Sequence, residues 1–258
     1  MINLKIRNKI KSLIKIKNKK DKIDIKPNDV YLVSFPKSGN TWMRFLLINY
    51  LFNPKSKKLV YDDLEMFIPS IHKSSIESIN SKKGLRIIKS HFVKLVYPKI
   101  IYIVRDGRDA LVSYYYYQKE LRGFKGSFEE FYFSKLSSEA GNWQEHLRAA
   151  LKFKKENPNN IIFVKYEDLK KDTNSTFKEV ISFLGEAIYE EKLNFAINSS
   201  SFDNLKKMQL SGGVEIEKKN INFFRKGTSE QWTSYFNEKI NNDFMKNSKD
   251  LMEHFNYI

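Results

Sequence analysis

The stretch from Val30 to Leu51 constrains this chain more than any other. Val30–Phe35 is an almost unbroken apolar run and reads as a buried strand. Pro36-Lys37-Ser38-Gly39-Asn40 follows, and from Thr41 to Leu51 Trp42, Phe45, Leu46 and Asn49-Tyr50 recur at helical spacing. A strand that passes through a short loop into a helix is the repeating unit of a parallel sheet. The unit recurs downstream. Strands are expected at Leu85–Lys89, Lys99–Val104 and Ile161–Val164. Helices are expected from Asp106 or Arg108 to Glu120, from Gly141 to Glu156 and from Thr173 to Leu184. The last third reads helical, apart from a Gly/Asn/Lys-rich stretch at Ser211–Ser229. The expected fold is α/β in three layers, a central parallel β-sheet flanked by helices. No internal repeat and no linker divides the chain after Pro27, so residues 27–258 are expected to form one domain.

Composition narrows what such a domain can do. With 41% hydrophobic and 14% aromatic residues among 258, the chain can bury a sizeable core. The absence of cysteine excludes a disulfide scaffold, a thiolate metal site and a cysteine nucleophile, and it fits a reducing, cytoplasmic setting. The longest apolar run is Ile100–Val104, far short of a membrane span, and basic residues interrupt the first 26 positions too often for a secretory leader. Lys and Arg number 46 against 30 Asp and Glu, a net charge of +16 that points to anionic partners. Half of that charge lies in residues 1–26, where ten basic side chains face two acids. Ile6, Ile10, Leu13 and Ile14 fall at helical spacing there. The arm therefore suits weak contact with an anionic membrane surface, although a solvated arm fits its low-complexity Lys/Ile/Asn composition better.

The loop after the first strand carries the first chemical signal. In an open parallel sheet such a loop lies at the carboxyl edge, where ligands bind. Gly39 permits close backbone approach to an anion, and the N–H groups of Ser38, Gly39, Asn40, Thr41 and Trp42 open a helix. Lys37 adds a compact charge, and Ser38 and Thr41 add hydroxyls. The loop is P-loop-like in its physics but lacks the GxxxxGK[ST] spacing, because Lys37 precedes the only glycine. An ordinary strand–helix turn would also fit these residues alone.

Two further segments add weight. Arg105 closes the predicted strand Lys99–Val104 and Ser113 follows eight residues later in a helix; Arg225-Lys226-Gly227 lies in a basic loop suited to wrapping a phosphate. Together, Pro36-Lys-Ser-Gly-x-Thr-Trp42, Arg105 with Ser113, and Arg225-Lys226-Gly227 resemble the donor-binding motifs of the cytosolic-type sulfotransferases. Those enzymes use 3′-phosphoadenosine 5′-phosphosulfate (PAPS). Lys89-Ser-His91 resembles the segment that carries the family's catalytic histidine, and Tyr166-Glu-Asp168 a recurrent adenine-side motif. The resemblance runs from Val30 to the C-terminal helix.

What the resemblance implies is specific. Lys37, Ser38, Gly39, Asn40 and Thr41 would hold the 5′-phosphosulfate. Arg105, Ser113 and Arg225-Lys226-Gly227 would hold the 3′-phosphate. Trp42 and Phe202 would stack on adenine, with Tyr166 and Ser200 hydrogen-bonding around it. His91 would be the general base, with Lys37 and Lys89 stabilising charge on the leaving oxygen. PAPS would be the donor and 3′,5′-bisphosphoadenosine (PAP) the product, with no metal. The acceptor would be a hydroxyl or amine on a small molecule, glycan or lipid. The sequence departs from the family where Glu230 and Thr233 flank Trp232, places where a glycine and a lysine often stand.

The residues bear on this independently. A nucleophile that must lose a proton needs a base near neutral pKa, for which histidine is the usual choice. Of the four histidines, His91 directly follows a predicted strand and shares the carboxyl edge with Lys37. His72 reads as pocket wall or gate, while His146, inside a helix, and His254 read as structural or solvent-facing. The aromatic stretch Tyr114–Tyr117 fits a pocket lining and helix core equally. A nucleotide or small-molecule kinase would share the loop and sheet, but not the Walker spacing or the histidine. A nucleic-acid-binding protein would use the charge, yet a site for a polyanionic nucleotide partly explains the +8 left without the arm.

Overall fold

The computed structural model describes residues 22–53, 57–138, 141–210 and 230–258. Four strands, β1 (Val30–Ser34), β2 (Ile87–Ser90), β3 (Lys99–Val104) and β4 (Ile161–Lys165), form a sheet in the order β2-β1-β3-β4. Every pair is parallel, with Val30 opposite both Ile87 and Lys99, and Ile100 opposite Ile161. All four predicted strands are present. β3 has the expected bounds, the ends of the other three shift by one or two residues, and β2 runs to Ser90 rather than Lys89.

Alternation along the strands builds two cores. Tyr31, Val33, Ile100, Tyr102 and Val104 pack into one face of the sheet; Val30, Leu32, Ile101 and Ile103 pack into the other. Both faces are covered, and so these strands read as near-continuous apolar runs. The first face is covered by α4 (Gly107–Arg122), α5 (Phe128–Phe133), α6 (Trp143–Glu156) and α11 (Glu238–His254). The second is covered by α1 (Asn40–Leu47), α2 (Asp63–Phe67), α8 (Thr173–Leu184), α9 (Glu190–Ser199) and α10 (Phe202–Leu210). Two short helices, α3 (Ile76–Ser81) and α7 (Tyr166–Lys171), add Ile79 to the first core and Leu169 to the second.

The strand order reverses beside β1, because the chain leaves β1 for β2 on one side and later returns to β3 on the other. That switch point is where an open parallel sheet leaves a crevice at its carboxyl end. At the opposite end, Arg86 and Asp29 form a buried bidentate pair (2.6 and 2.5 Å), and Arg86 also donates to Asp24 O. Asp24 N donates to Asn80 Oδ1 and Lys26 Nζ to Lys82 O, so residues 24–26 are fastened beneath the sheet, away from the crevice.

One further strip of backbone extends the sheet edge. Lys89 N donates to Pro69 O (2.8 Å) and Ile71 N to Lys89 O (3.0 Å), which lays Pro69–Ile71 alongside β2. Glu65 secures that strip by accepting from Ser70 N and Ser74 Oγ, and its other oxygen pairs with buried Arg44 at 2.9 Å.

Candidate active site

The loop leaving β1 is built from two left-handed residues. Lys37 has φ 67° and Gly39 φ 104°. A left-handed lysine costs on the order of 1–2 kcal/mol, which the surrounding contacts must offset. Gly39 is needed twice over, since a Cβ there would sit 2.8 Å from the Tyr166 ring. The first turn of α1 holds no acidic residue and no side chain caps it. Asn40 turns back beneath β1, donating to Ser34 Oγ at 3.2 Å. The buried Ser38 Oγ and Asn40 Oδ1 have no hydrogen-bond partner among the described residues. Thr41 is bonded to the Tyr61 hydroxyl. Lys37 Nζ lies 5.0 Å from the Tyr117 ring centroid, directed towards α4.

Arg105, the residue after β3, meets this loop across the switch point. Its Nη1 donates to Lys37 O at 3.0 Å, and its guanidinium lies 4.4 Å over the Tyr166 ring. Nη2 lies 3.8 Å from Asp109 Oδ2, one turn along α4. Tyr166 in turn meets Trp42 edge-on at 5.9 Å. Lys37, Gly39, Trp42, Arg105 and Tyr166 thus form one connected group drawn from the segments that follow β1, β3 and β4. Ser113 is half-buried, one turn beyond Asp109 on the same helix. Ser200 is fully buried and accepts from Asn49 Nδ2 at 3.1 Å, in the π-helical turn that extends α1. Phe202 opens α10 and is half-buried. Arg225, Lys226 and Gly227 lie outside the described residues. The chain re-enters at Glu230, where Glu230 N and Trp232 N both donate to Asp109 (2.7 and 3.0 Å).

His91 follows β2 immediately. Its Nδ1 lies 3.0 Å from Ser34 O, the last carbonyl of β1. A carbonyl can only accept, so Nδ1 carries the proton and Nε2 keeps its lone pair. Burial depresses the ring pKa to about 3, Lys89 adds to the shift, and His72 and His146 contribute smaller repulsions; the Ser34 bond opposes them. His72 stacks on His91 at 5.7 Å. Lys89 is itself lowered to about 8, first by burial and then by Arg44, with Glu65 opposing.

Residues 27–256 match the family model described as Sulfotransferase domain. The chain belongs to the sulfotransferase family. It is 28% identical to mouse Sulfotransferase 1 family member D1, over 89% of this chain and 86% of that protein. It is 31% identical to rat Sulfotransferase 2A6, over 86% and 83% respectively. Among solved structures, mouse sulfotransferase SULT7A1 complexed with PAP superposes with a TM-score of 0.72 at 24% identity, covering 90% of this chain and 86% of that one. Retinol dehydratase in a complex with retinol and PAP gives the same TM-score at 21% identity, covering 90% and 83%. The parallel sheet flanked by helices is therefore the sulfotransferase fold.

The sequence reads His146 as structural or solvent-facing and assigns Asp109 no role, yet both are tied to the candidate site. His146 is only 7% exposed and is hydrogen-bonded at both ring nitrogens, to the His91 carbonyl and to the Tyr102 hydroxyl. Asp109 gathers Arg105 and two backbone N–H groups on one buried carboxylate. Their partners lie 44 to 123 residues away, or four in the case of Arg105. Only the spacing Arg105–Asp109, one helical turn, was available as a signal. Among the described residues no group of side chains could hold a metal ion, and no helix is long and apolar enough to cross a membrane.

Proposed function

We propose that this chain transfers a sulfuryl group from PAPS to the hydroxyl or amine of an acceptor, with His91 as general base. One observation carries the reading. His91 Nδ1 is held by the carbonyl of Ser34, the residue just before the loop that Arg105 grips through Lys37 O. A base with a free lone pair and an anion cradle therefore share one sheet edge.

The residues fit the donor. Ser38 Oγ and Asn40 Oδ1 are buried polar atoms lacking partners among the described residues, Gly39 keeps the Tyr166 side open, and the N-terminus of α1 is uncapped. Ser38, Gly39, Asn40, Thr41 and Lys37 would hold the 5′-phosphosulfate. Arg105, Ser113 and the loop bearing Arg225, Lys226 and Gly227 would hold the 3′-phosphate. Trp42, Tyr166, Ser200 and Phe202 would surround adenine; Ser200 would share its hydroxyl with Asn49. When bound, PAPS supplies the sulfuryl group and PAP is the leaving group. That PAP occurs in the similar mouse and retinol dehydratase structures supports this donor.

The chain's own residues then divide the work. His91 Nε2 takes the acceptor's proton, and Ser34 O stabilises the imidazolium that forms by accepting from Nδ1–H. Lys37 and Lys89 offset charge developing on the leaving oxygen. Phe92, 45% exposed and 5.7 Å from the His72 ring, offers an apolar surface beside the base. A small molecule that presents a hydroxyl from an apolar body suits that surface, and retinol bound to a protein of the same fold supports the choice. Such a domain would act as a soluble enzyme of the cytoplasm, and the charge of the basic arm suits weak contact with an anionic membrane. Incubation with 35S-labelled PAPS and a panel of alcohols, phenols, amines, glycans and lipids tests the proposal. Label transfer that requires His91 supports it; donor binding without transfer to any acceptor overturns it.

A further inference from the structure

The amino end of α6 touches the backbone of both halves of the site. Trp143 Nε1 donates to Arg105 O at 3.1 Å. One turn later, His146 Nε2 is bonded to His91 O. The second partner is a carbonyl, so Nε2 must carry the proton and Nδ1 the lone pair. Tyr102 OH, 2.7 Å from Nδ1, is then the donor that fixes this tautomer. Both side chains are buried, Trp143 at 3% and His146 at 7% exposed. Gly107 makes room for the indole, since a Cβ there would lie 2.6 Å from Trp143 Cδ2. Phe35, the first residue of the loop after β1, packs edge-on against the His146 ring at 6.0 Å.

We infer that Trp143 and His146 form a two-point clamp, in which one turn of α6 sets the Arg105 and His91 backbones independently. The inference rests on the roles proposed above for Arg105 and His91. It assigns the two ring N–H groups different tasks. Trp143 fixes where the guanidinium stands against the donor. His146 fixes where the imidazole stands against Ser34 O, and so how well Nε2 is shielded from water. Neither side chain touches a reacting atom, which makes both positioning residues. A general packing role would instead couple the two ends, because loosening α6 would move both.

The experiment separates these cases. The His91 ring is titrated by NMR in His146→Asn, His146→Gln and Trp143→Phe, and PAP binding is measured by calorimetry. The groups that face His91 are Lys89 on β2, His72 on the adjoining strip and His146 on α6. The first two are unchanged in every variant. Glutamine keeps a donor near the Nε2 position, whereas asparagine is too short to reach His91 O. His146→Asn should raise the His91 pKa by about one unit as water reaches the ring, with PAP affinity within about twofold. His146→Gln should restore the wild-type titration. Trp143→Phe should weaken PAP binding about tenfold and leave the His91 titration in place. Wild-type 15N shifts should show His146 protonated at Nε2 and His91 at Nδ1, a reading that needs no variant to fold. The clamp is overturned if both variants move both readouts together, if His146→Asn behaves as wild type, or if His146 carries its proton on Nδ1. These readouts are independent of turnover, so they judge the clamp even if His91→Ala stays active and the base assignment fails.

Discussion

Arg105 gives the sharpest test of how this site reads its donor. The proposed role is recognition of the 3′-phosphate, the group that separates PAP from adenosine 5′-phosphate. A charge-assisted hydrogen bond is worth about 1.5–3 kcal/mol, so Arg105→Ala should cost PAP about 10- to 150-fold in affinity through that contact. The structure adds a second effect. Arg105 Nη1 also holds Lys37 O at 3.0 Å, so the 5′ loop loses a tether worth about 1 kcal/mol. Adenosine 5′-phosphate should therefore weaken about fivefold rather than not at all. The informative quantity is the ratio of the two losses, expected at about tenfold or more. The variant also leaves Asp109 without the cation 3.8 Å away, and burial already pushes that carboxyl above its usual range. A destabilised fold could imitate lost binding, so Arg105→Ala/Asp109→Asn serves as a control that removes the unpaired charge. Calorimetry with both ligands on wild type and both variants completes the comparison. Equal losses for PAP and adenosine 5′-phosphate in the double variant would refute the 3′-phosphate assignment and leave Arg105 as support for the 5′ loop.

Three other outcomes follow from the same geometry. His91→Ala should lower kcat about 10²–10⁴-fold while PAP affinity stays nearly unchanged; a variant that keeps more than half of the wild-type kcat would remove His91 from the reaction. Lys37→Ala should lower kcat by about 10²–10³ with a smaller loss of donor affinity, since its contact strengthens as the leaving oxygen gains charge; loss of affinity alone would make it a ground-state binder. His91 and His146, lowered to about 3 and about 4, are both depressed below the unfolded value, so the unfolded chain binds more protons below pH 6.5 and stability is lost as pH falls towards the folded values. Urea unfolding at pH 7 and pH 5 should differ by about 2 kcal/mol for each ring, and His146→Gln should halve the difference; equal stabilities at the two pH values would show that the rings are not held neutral.

The strands were legible because each is a buried apolar run, and a parallel sheet covered on both faces writes itself that way. The turn Phe35–Gly39 between β1 and α1 was legible because proline and glycine separate an apolar run from a helical repeat. What the sequence could not show is how the elements meet. Lys37 in a left-handed conformation is a feature of the assembled loop, since lysine has no preference for that region. Ser200 reads as a ligand for adenine in a run of three serines, and only the packing of α9 against the π turn shows it bonded to Asn49. His146 reads as structural because a histidine inside an amphipathic helix usually is. Its role depends on a carbonyl 55 residues earlier in the chain, which no local pattern encodes.

The electrostatics tie these parts to one another. An effective general base has a pKa near the working pH, and a ring held at about 3 falls well below that. The largest cause is burial and the next is Lys89, the residue proposed to face the leaving oxygen. An anion lodged against Lys37 and Lys89 offsets the repulsive part of the shift, so the base should strengthen as the donor enters. Titrating His91 with and without PAP reads this directly, as an upward shift of the ring pKa on binding. A ring pKa unmoved by PAP would place the base too far from the anion cradle for the two to cooperate, and the case for a shared site at this sheet edge would fail with it.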